Sequence, residues 1–457
     1  MASPGRLISL DDAAATAPEL VGAKAATLAQ ARRDGLPALP GYVVPAVEGA
    51  PALQAGCDAL RTAGRKTARR AVFSVPVRPE LISELGWAVD QLGGRAIVRS
   101  SSGLESDPRW SGAFSSIREI GADDVAAAAR SCWASAFAPD PLDRLEQCGL
   151  EPEQLGLSLL VQPDLSPDFG GLARIRDSGT DVSWTSGHPG ALLAGVTEGQ
   201  SVRVADAGAG DDSGPNAAAS AIDPAIVAAV ARLAHAVHAA AGHEVIEWAW
   251  AGGRIHLLQS GPGSAEAGAG GPGQRGPGGA AGTGHGLVRL TGRACVAGDA
   301  VGPLRYAAPG QAAAAPGAAP GRAAAGPDPY ILVSAQPFAA LAPLLFGARG
   351  VVCQTGPADC HLASVAGALG VPMLVGVPLR EAVGALAALG HDGGWFGAIS
   401  GQRAELTLIR AGSSAPADRD RVRQDLVESV LAPAGPAPTA VTGRRSAPSA
   451  AQDHARH

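Results

Sequence analysis

The sequence lacks an excess of basic residues. It contains 36 Lys and Arg against 42 Asp and Glu, which gives a formal net charge of -6 at pH 7. Proteins that bind nucleic acid need a cationic surface along the phosphate backbone. We therefore expect no nucleic-acid partner, and we expect any anionic small ligand to be held by local Lys, Arg and backbone N–H groups.

Aromatic residues, paired cysteines and long apolar runs are also scarce. Aromatic residues make up 4% of the chain, and its six cysteines include no CxxC pair. The N-terminal residues lack the order of basic then apolar residues that marks a signal peptide, and no apolar run approaches the roughly 20 residues that span a bilayer. These absences predict a cytoplasmic protein with reduced thiols and no membrane partner.

Gly and Pro are abundant, with 62 and 36 residues, and they cluster in stretches that divide the chain. A Gly-rich stretch with almost no core-forming residues separates two segments in which predicted helices and strands alternate. This alternation predicts an α/β (α+β) fold for both segments. The predicted boundaries are 1–262 for the first segment, 263–285 for a flexible linker, 286–411 for the second segment, and 412–457 for one short helix followed by disorder.

Three stretches of the first segment carry polar groups that suit a nucleotide. Gly22 and Lys24 open an Ala-rich helix, and Arg99 follows a short apolar strand and precedes a run of Ser and Gly. A guanidinium group binds phosphate through paired hydrogen bonds, and Gly-rich turns direct backbone N–H groups at anions. Glu247 and Gln259 lie on the two strands of a predicted hairpin, where a carboxylate and an amide oxygen suit Mg²⁺. Taken singly, these stretches are explained as well or better by a solvated lysine, a polar loop and a charge at a strand edge.

In chain order, these stretches resemble the nucleotide-binding domain of the pyruvate phosphate dikinase, phosphoenolpyruvate synthase and rifampin phosphotransferase family, which has an ATP-grasp fold. The matching pieces are Gly22-Ala23-Lys24, Val98-Arg99-Ser100-Ser101, Val161-Gln162, Ile246-Glu247-Trp248 and Leu258-Gln259-Ser260. The resemblance implies that Lys24 and Arg99 bind the phosphates of ATP, and that Gln162 lines the adenine site. It also implies that Glu247 and Gln259 bind ATP through the Mg²⁺ that they hold.

Gly261 departs from this pattern, because the family has a phosphate-contacting arginine at the corresponding position. A hydrogen bond to a charged group typically contributes about 1.5–3 kcal/mol. We expect the loss of this arginine to lower phosphoryl-transfer activity more than nucleotide binding.

His361 is the candidate catalytic residue of the second segment. It stands between a Gly-Pro turn and a helical run of small residues in QTGPADCHLASVAGALGVP (354–372). From these residues alone, three roles stay open. The imidazole is a packed core histidine, a metal ligand together with Cys353, Asp359 and Cys360, or a nucleophile whose phosphorylated form is stabilised by the positive end of the following helix.

The longer stretch GARGVVCQTGPADCHLASVAGALGVPMLVGV (347–377) resembles the phosphohistidine swivelling domain of the same family. The resemblance implies that His361 carries the phosphoryl group. Asp359 stands where the family usually has Thr or a small or apolar residue, and we expect its carboxylate to repel an incoming phosphate unless it orients the imidazole. Gly367 and Ala368 replace an Arg-Glu pair, which removes a cation close to the carrier.

Together the two resemblances imply a dikinase-type phosphotransferase that uses ATP and Mg²⁺ and passes a phosphoryl group through phosphohistidine to an acceptor. The linker, with a predicted r.m.s. span of roughly 25–30 Å, is long enough for a swivel. The family's acceptor domain has no counterpart between the two segments. We therefore expect a small-molecule acceptor, of specialised metabolism or an antibiotic, held at a small site of this chain or by a separate protein.

A second function of a different class remains open. Because Gly261, Asp359 and Gly367 all depart from the family at phosphate-handling positions, the chain is alternatively a non-catalytic nucleotide-binding relative that acts as a partner or regulatory subunit.

Overall fold

The structure is a computed structural model that describes residues 7–177, 179–205, 222–263, 287–307, 329–379 and 395–410. Apart from Gly263, the predicted linker lies outside these residues, and so does the predicted C-terminal helix. The domain boundaries therefore stay a prediction. The described residues mix helices and strands throughout, which confirms the predicted α/β class.

The N-terminal part contains two five-stranded sheets, with strand orders β1-β2-β5-β3-β4 and β10-β9-β6-β7-β8. We call these the first sheet and the second sheet. The strands are β1 (Ile8–Ser9), β2 (Tyr42–Val44), β3 (Ala96–Ser102), β4 (Ser116–Ile120), β5 (Leu157–Pro163), β6 (Phe169–Arg176), β7 (Gly179–Ser186), β8 (Gln200–Ala205), β9 (Val245–Ala251) and β10 (Arg254–Gly261).

Helices cover one face of each of these sheets or lie between them. They are α1 (Pro18–Arg33), α2 (Ala46–Ala63), α3 (Arg65–Ser74), α4 (Pro79–Gln91), α5 (Val125–Ser135), α6 (Pro139–Cys148), α7 (Gly190–Leu193) and α8 (Pro224–Ala241). Short 3₁₀ helices span Ala13–Thr16, Gly103–Ser106, Pro108–Trp110 and Pro152–Leu155.

Helix α1 joins the two sheets through a shared hydrophobic core. Its apolar side chains, such as Ala25 and Leu28, pack in one buried cluster with Val43 of the first sheet and with Ile246 and Trp248 of the second. The Ala-rich sequence of α1 lets the helix approach both sheets closely, because Ala adds little bulk and has the highest helix propensity. The opposite face of the first sheet packs on α2 to α6 in a separate cluster.

The two faces of the second sheet differ in chemistry. One face carries Ala173, Ile246 and Trp248, which pack against α8. Because side chains alternate along a strand, the neighbouring positions Arg174 and Glu247 project from the other face. The register pairs Glu247 directly with Gln259 across β9 and β10, so three strands contribute a polar side chain to this second face, which we call the polar face.

The hairpin predicted at the end of the first segment is confirmed. Strands β9 and β10 pair antiparallel, and Gly252 and Gly253 form the turn with φ values of 58° and 71°. Positive φ at both central positions is the geometry of a type I′ turn, which glycine adopts without strain.

The C-terminal part is one eight-stranded sheet with the order β11-β18-β17-β13-β14-β15-β16-β12. Its described elements are β11 (Leu287–Thr291), β12 (Arg293–Val296), β13 (Asp299–Tyr306), β14 (Tyr330–Ser334), a 3₁₀ helix (Ala339–Gly347), β15 (Ala348–Cys353), α9 (His361–Ala368), β16 (Met373–Val375), β17 (Trp395–Ser400) and β18 (Glu405–Arg410). Strands β13 to β16 run parallel to one another.

The parallel centre of this sheet is buried on both faces. Leu332 and Val351 pack in one cluster with α9, whereas Ile331 and Val352 pack in another cluster on the opposite face. Such two-sided burial explains the continuous apolar sequences of β14 and β15. The loop after β15 leads directly into α9, which begins at His361.

One described helix, α8, is long and apolar enough to cross a membrane by length and composition alone. Its residues Val230, Ala234 and Val237 are buried in the core between the second sheet and α1. This packing is that of a core helix.

Candidate functional site

Lys24 lies at the start of the main run of α1, directly after a kink at Gly22. Gly22 has φ 76° and ψ 162°, a backbone conformation that is nearly exclusive to glycine. A Cβ atom at this position would lie 2.3 Å from the carbonyl oxygen of Ser101. Glycine is therefore required for α1 to pack on β3, and the Ser101 hydroxyl accepts a hydrogen bond from Ala25 N at 3.1 Å.

The side chain of Lys24 points into the protein and is paired. Its Nζ atom donates to Ser100 O at 2.9 Å and lies 2.8 Å from Glu105 Oε1. The side chains of Lys24 and Glu105 are only 7% and 9% exposed. Glu105 is fixed in turn, because its other oxygen accepts from Ser102 N at the start of the 3₁₀ helix Gly103–Ser106.

Arg99 projects from β3 toward the polar face of the second sheet. Its guanidinium group donates to Leu258 O at 2.8 Å, to Gln259 Oε1 at 3.1 Å and to Gln162 Oε1 at 3.4 Å. Burial lowers the pKa of this guanidinium from its ordinary value, and Glu247 opposes that shift. The structure thus brings three other predicted residues, Gln162, Glu247 and Gln259, together around the Arg99 cation.

Gln162 is almost fully buried, at 1% exposure. Besides accepting from Arg99, its amide donates to Leu39 O at 3.2 Å. Both ends of the side chain therefore hold protein groups in position. Its predicted place in the adenine site stays a prediction.

Glu247 and Gln259 fit the donor set of a magnesium ion bound to a nucleotide. They are direct register partners on β9 and β10, so their side chains leave the sheet on the same face and carry a carboxylate and an amide oxygen. Hard oxygen donors of this kind, together with substrate phosphates and water, are the usual ligands of Mg²⁺. The two residues would hold the ion at the β10 edge of the second sheet.

His361 reaches this cleft from the C-terminal part. Its Nδ1 atom lies 2.9 Å from Ser111 Oγ, and a Cβ atom added to Gly112 would stand 2.9 Å from ring carbons Cγ and Cδ2. Glycine at position 112 is therefore needed for the imidazole to lie against the turn. Because Nδ1 is engaged by the hydroxyl, Nε2 is the ring nitrogen left for chemistry.

The imidazole is half-buried and lies within the field of the predicted nucleotide site. Burial is the largest influence and lowers its pKa from the ordinary value of 6.5. Glu247 and Glu105 act in the opposite direction, whereas Lys24 and Arg144 lower the pKa further. The net effect favours the neutral ring at pH 7, which is the nucleophilic form.

Arg144, on α6, was not predicted from sequence but supports the turn that holds His361. Its side chain is fully buried, pairs with Asp140 Oδ1 at 2.6 Å, and donates to Arg109 O and Ser111 O at 2.7 and 3.0 Å. A buried pair with these extra hydrogen bonds fixes the backbone on which Ser111 stands. No local signal marks Arg144, because its partners in the turn are distant in sequence.

The sequence left open that Asp359 orients the imidazole of His361. In the structure the carboxylate of Asp359 pairs with Arg174 instead. Its Oδ1 atom lies 3.1 Å from Arg174 Nε on β6. The carboxylate is thus turned toward the second sheet and is compensated by a guanidinium group. Because Arg174 compensates the charge of Asp359, we no longer expect this carboxylate to repel an incoming phosphate.

The structure gives no support to His361 as a metal ligand or as a packed core histidine. Among the described residues, no group of three or more His, Cys, Asp and Glu side chains could hold a metal ion. Cys353 and Cys360 are buried in the hydrophobic cluster around α9, and burial raises the pKa of the Cys360 thiol to about 12. The imidazole itself leaves this cluster and meets Ser111.

Gly261 ends β10, two residues beyond Gln259 and on the same face of the strand. A Cβ atom added there would meet no atom within 4 Å, so the position has room for a side chain. Gly367 lies buried within α9. At both positions the cation of the family pattern is missing, because glycine has no side chain.

Family models match both parts of the chain. Residues 18–206 match the pyruvate phosphate dikinase, AMP/ATP-binding domain, and residues 326–384 match the PEP-utilising enzyme, mobile domain. The first match contains Lys24, Arg99 and Gln162, and the second contains His361. Glu247 and Gln259 lie between the two matched ranges.

Other comparisons add little. Comparison with curated proteins gives no significant match. A solved structure, the holo-form of aconitase X from Thermococcus kodakaraensis, matches with 16% identity and a TM-score of 0.17, over 27% of this chain and 98% of that chain. A likeness of this strength carries no argument.

We predict that Gly22→Ala destabilises the protein and weakens ATP binding. The new Cβ atom clashes with Ser101 O, and the backbone conformation costs an alanine about 1–3 kcal/mol. Urea denaturation and calorimetric ATP titration measure the two effects. Gly35→Ala is the matched control, because Gly35 also has positive φ but has open space around it. Equal losses in the two variants would contradict a specific role for the packing of Gly22 on β3.

We predict that the imidazole of His361 titrates below 6.5 in the folded protein. Because the folded-state pKa is depressed, the unfolded chain binds the proton first as pH falls. The stability contribution is therefore complete above pH 6.5 and is lost as pH falls through the folded-state pKa. NMR titration of the ring in native and urea-unfolded protein gives both values. A native value equal to or above the unfolded value would show that the ring is not desolvated in the cleft.

Proposed function

Because this chain belongs to the pyruvate phosphate dikinase, phosphoenolpyruvate synthase and rifampin phosphotransferase family, we propose that it transfers a phosphoryl group from ATP through His361 to an acceptor. The observation that carries the proposal is the contact of His361 with Ser111 and Gly112. It brings the imidazole of the mobile-domain match into the electrostatic field of Lys24 and Glu247.

In the first step, the residues of the cleft have different roles. Lys24 and Arg99 bind the phosphates of ATP. Nδ1–H of His361 donates to Ser111 Oγ, and this tautomer leaves the lone pair on Nε2 for attack on the nucleotide. Attack of Nε2 at the β-phosphorus forms the N–P bond as the bond to the AMP oxygen breaks, and AMP leaves with that electron pair. The histidine then carries the β and γ phosphates as a pyrophosphoryl group. Attack of water at the γ-phosphorus releases inorganic phosphate and leaves the β-phosphoryl group on Nε2. Cationic groups at the developing charge lower the barrier of such a step.

Glu247 and Gln259 are the residues proposed to hold Mg²⁺. When bound, the ion neutralises phosphate charge and fixes the orientation of the triphosphate. Arg99 fixes the orientation of Gln259 through its bond to Oε1, and the second lone pair of that oxygen is the one that would bind the ion.

In the second step an acceptor nucleophile takes the phosphoryl group from Nε2. The acceptor loses its proton to solvent and the imidazole returns to the neutral form. Phosphohistidine is an energetic donor, so a hydroxyl, an enol and an amide nitrogen are all suitable acceptors. We infer a small-molecule acceptor, held by this chain or by a separate protein.

We predict that Mg²⁺ and ATP give the wild-type protein an acid-labile, alkali-stable phosphoryl label, and that His361→Asn abolishes it. ATP labelled separately at the β and γ phosphates identifies the group transferred, and chromatography detects AMP. His238→Asn is the control, because His238 is exposed on α8 and should keep the label. Binding of ATP by the wild type without label or AMP would instead support the non-catalytic alternative, which the absence of a side chain at Gly261 favours.

We predict that Gly261→Arg increases the rate of His361 phosphorylation by about 10- to 100-fold, because a charge-assisted phosphate contact contributes about 1.5–3 kcal/mol. The open space at Gly261 has room for an arginine side chain. This side chain would lie on the same face of β10 as Gln259. Single-turnover kinetics measure the rate. Gly261→Gln is the matched control with a long, uncharged side chain. Similar rates for the two variants would contradict the idea that charge is what this position lacks.

A further inference from the structure

A buried ion pair joins the loop that carries His361 to the second sheet. Arg174 lies in the middle of this sheet on β6, and its Nε atom is 3.1 Å from Asp359 Oδ1. The two side chains are 6% and 11% exposed. Charged groups are seldom buried to this extent unless they are paired. The pair forms only when the loop lies against β6, and it stabilises the loop in that position.

Further contacts join the C-terminal part to the segment just before β8, the edge strand of the second sheet. Gly356 N, in the loop before His361, donates to Glu198 Oε1 at 3.3 Å, and Gln336 Nε2 donates to Val196 O at 3.4 Å. Arg203 on β8 is hydrogen-bonded to Asp181, which raises the pKa of Arg203. The carboxylate of Asp359 raises this pKa as well, by a smaller amount. Asp359 therefore faces two cations, both on the second sheet.

The loop touches the first sheet's side of the cleft as well. There His361 Nδ1 meets Ser111 Oγ at 2.9 Å, in the turn that follows β3. Two contacts on different elements restrict rotation of the loop in a way that one contact does not. The ion pair is the charged and directional one of the two, and removal of either partner takes away the charged contact between the loop and β6.

We propose that Arg174 and Asp359 are positioning residues, whose ion pair fixes the His361 loop across both sheets in the position from which the imidazole accepts a phosphoryl group. The proposal rests on the proposed function and deepens it. The pair acts through His361 and touches neither nucleotide nor acceptor.

The ion pair also explains how an aspartate can stand two residues before a phosphate carrier. An unpaired carboxylate would raise the free energy of the incoming phosphate through like-charge repulsion. Arg174 cancels that charge in the docked position. The same residue that appeared unfavourable in the sequence is thus a docking contact once β6 is beside it.

The test uses the full chain and three changes to the pair. Asp359→Asn keeps the shape of the side chain and removes its charge, Arg174→Gln removes the cation, and the double variant Arg174→Asp with Asp359→Arg exchanges the charges. Arg176→Gln is the matched control, because Arg176 is on the same strand and pairs with Asp181 within the second sheet.

Three measurements separate docking from stability and from nucleotide binding. They are the single-turnover rate of His361 phosphorylation at saturating ATP, the Kd of ATP, and the pKa of the His361 imidazole by NMR. We expect each single change to slow phosphorylation by about tenfold or more, to leave the Kd of ATP within about twofold, and to move the imidazole pKa upward toward 6.5 as the ring leaves the cleft. The charge exchange should recover most of both effects, and Arg176→Gln should change neither.

Unchanged rates and an unchanged imidazole pKa in both single variants would overturn the proposal, and so would an exchange variant that is folded by circular dichroism but recovers nothing. The NMR measurement keeps the two proposals apart. If the wild-type protein forms no phosphohistidine, the proposed function fails, while the imidazole pKa of the variants still reports whether the pair docks the loop.

Discussion

The position of one imidazole, held against a glycine turn more than two hundred residues earlier in the chain, is the constraint on which the rest of the site depends. Gly112 leaves room for the ring of His361, and Ser111 fixes its Nδ1 atom. Arg144 in turn holds the backbone of Ser111 from a fully buried position. These groups partly bury the ring, and this burial lowers the pKa of the imidazole so that its neutral, nucleophilic form is favoured.

Charge compensation is the second common theme of the cleft. Lys24 pairs with Glu105, Arg144 with Asp140, and Arg174 with Asp359. Buried charges need such partners, because desolvation of an isolated charge costs several kcal/mol. A nucleotide that binds here therefore competes with carboxylates already in place, and Lys24 would have to exchange Glu105 for a phosphate.

Local sequence patterns were sufficient for the elements that carry the site. The β9–β10 hairpin, the Ala-rich helix at Lys24 and the strand before Arg99 were all predicted, since each depends on alternation, turn glycines or helix propensity within a short window. The roles of Arg144 and Arg174 could not be predicted in this way. The groups that they position, the backbone of Ser111 and the carboxylate of Asp359, lie on distant elements. A buried arginine also has the same local signature as an exposed one.

The sequence by itself determined which residue types were available: a lysine on an Ala-rich helix, an arginine on a short strand, a carboxylate and an amide on one hairpin, and a histidine at the start of a short helix. Their order determined the family. The tertiary structure decided how they meet. It turned Asp359 away from the imidazole and toward Arg174, it engaged both ends of Gln162 with protein groups, and it set His361 against Ser111. The reason is physical, because pairing, burial and pKa depend on distances between elements far apart in the chain, which no local pattern encodes.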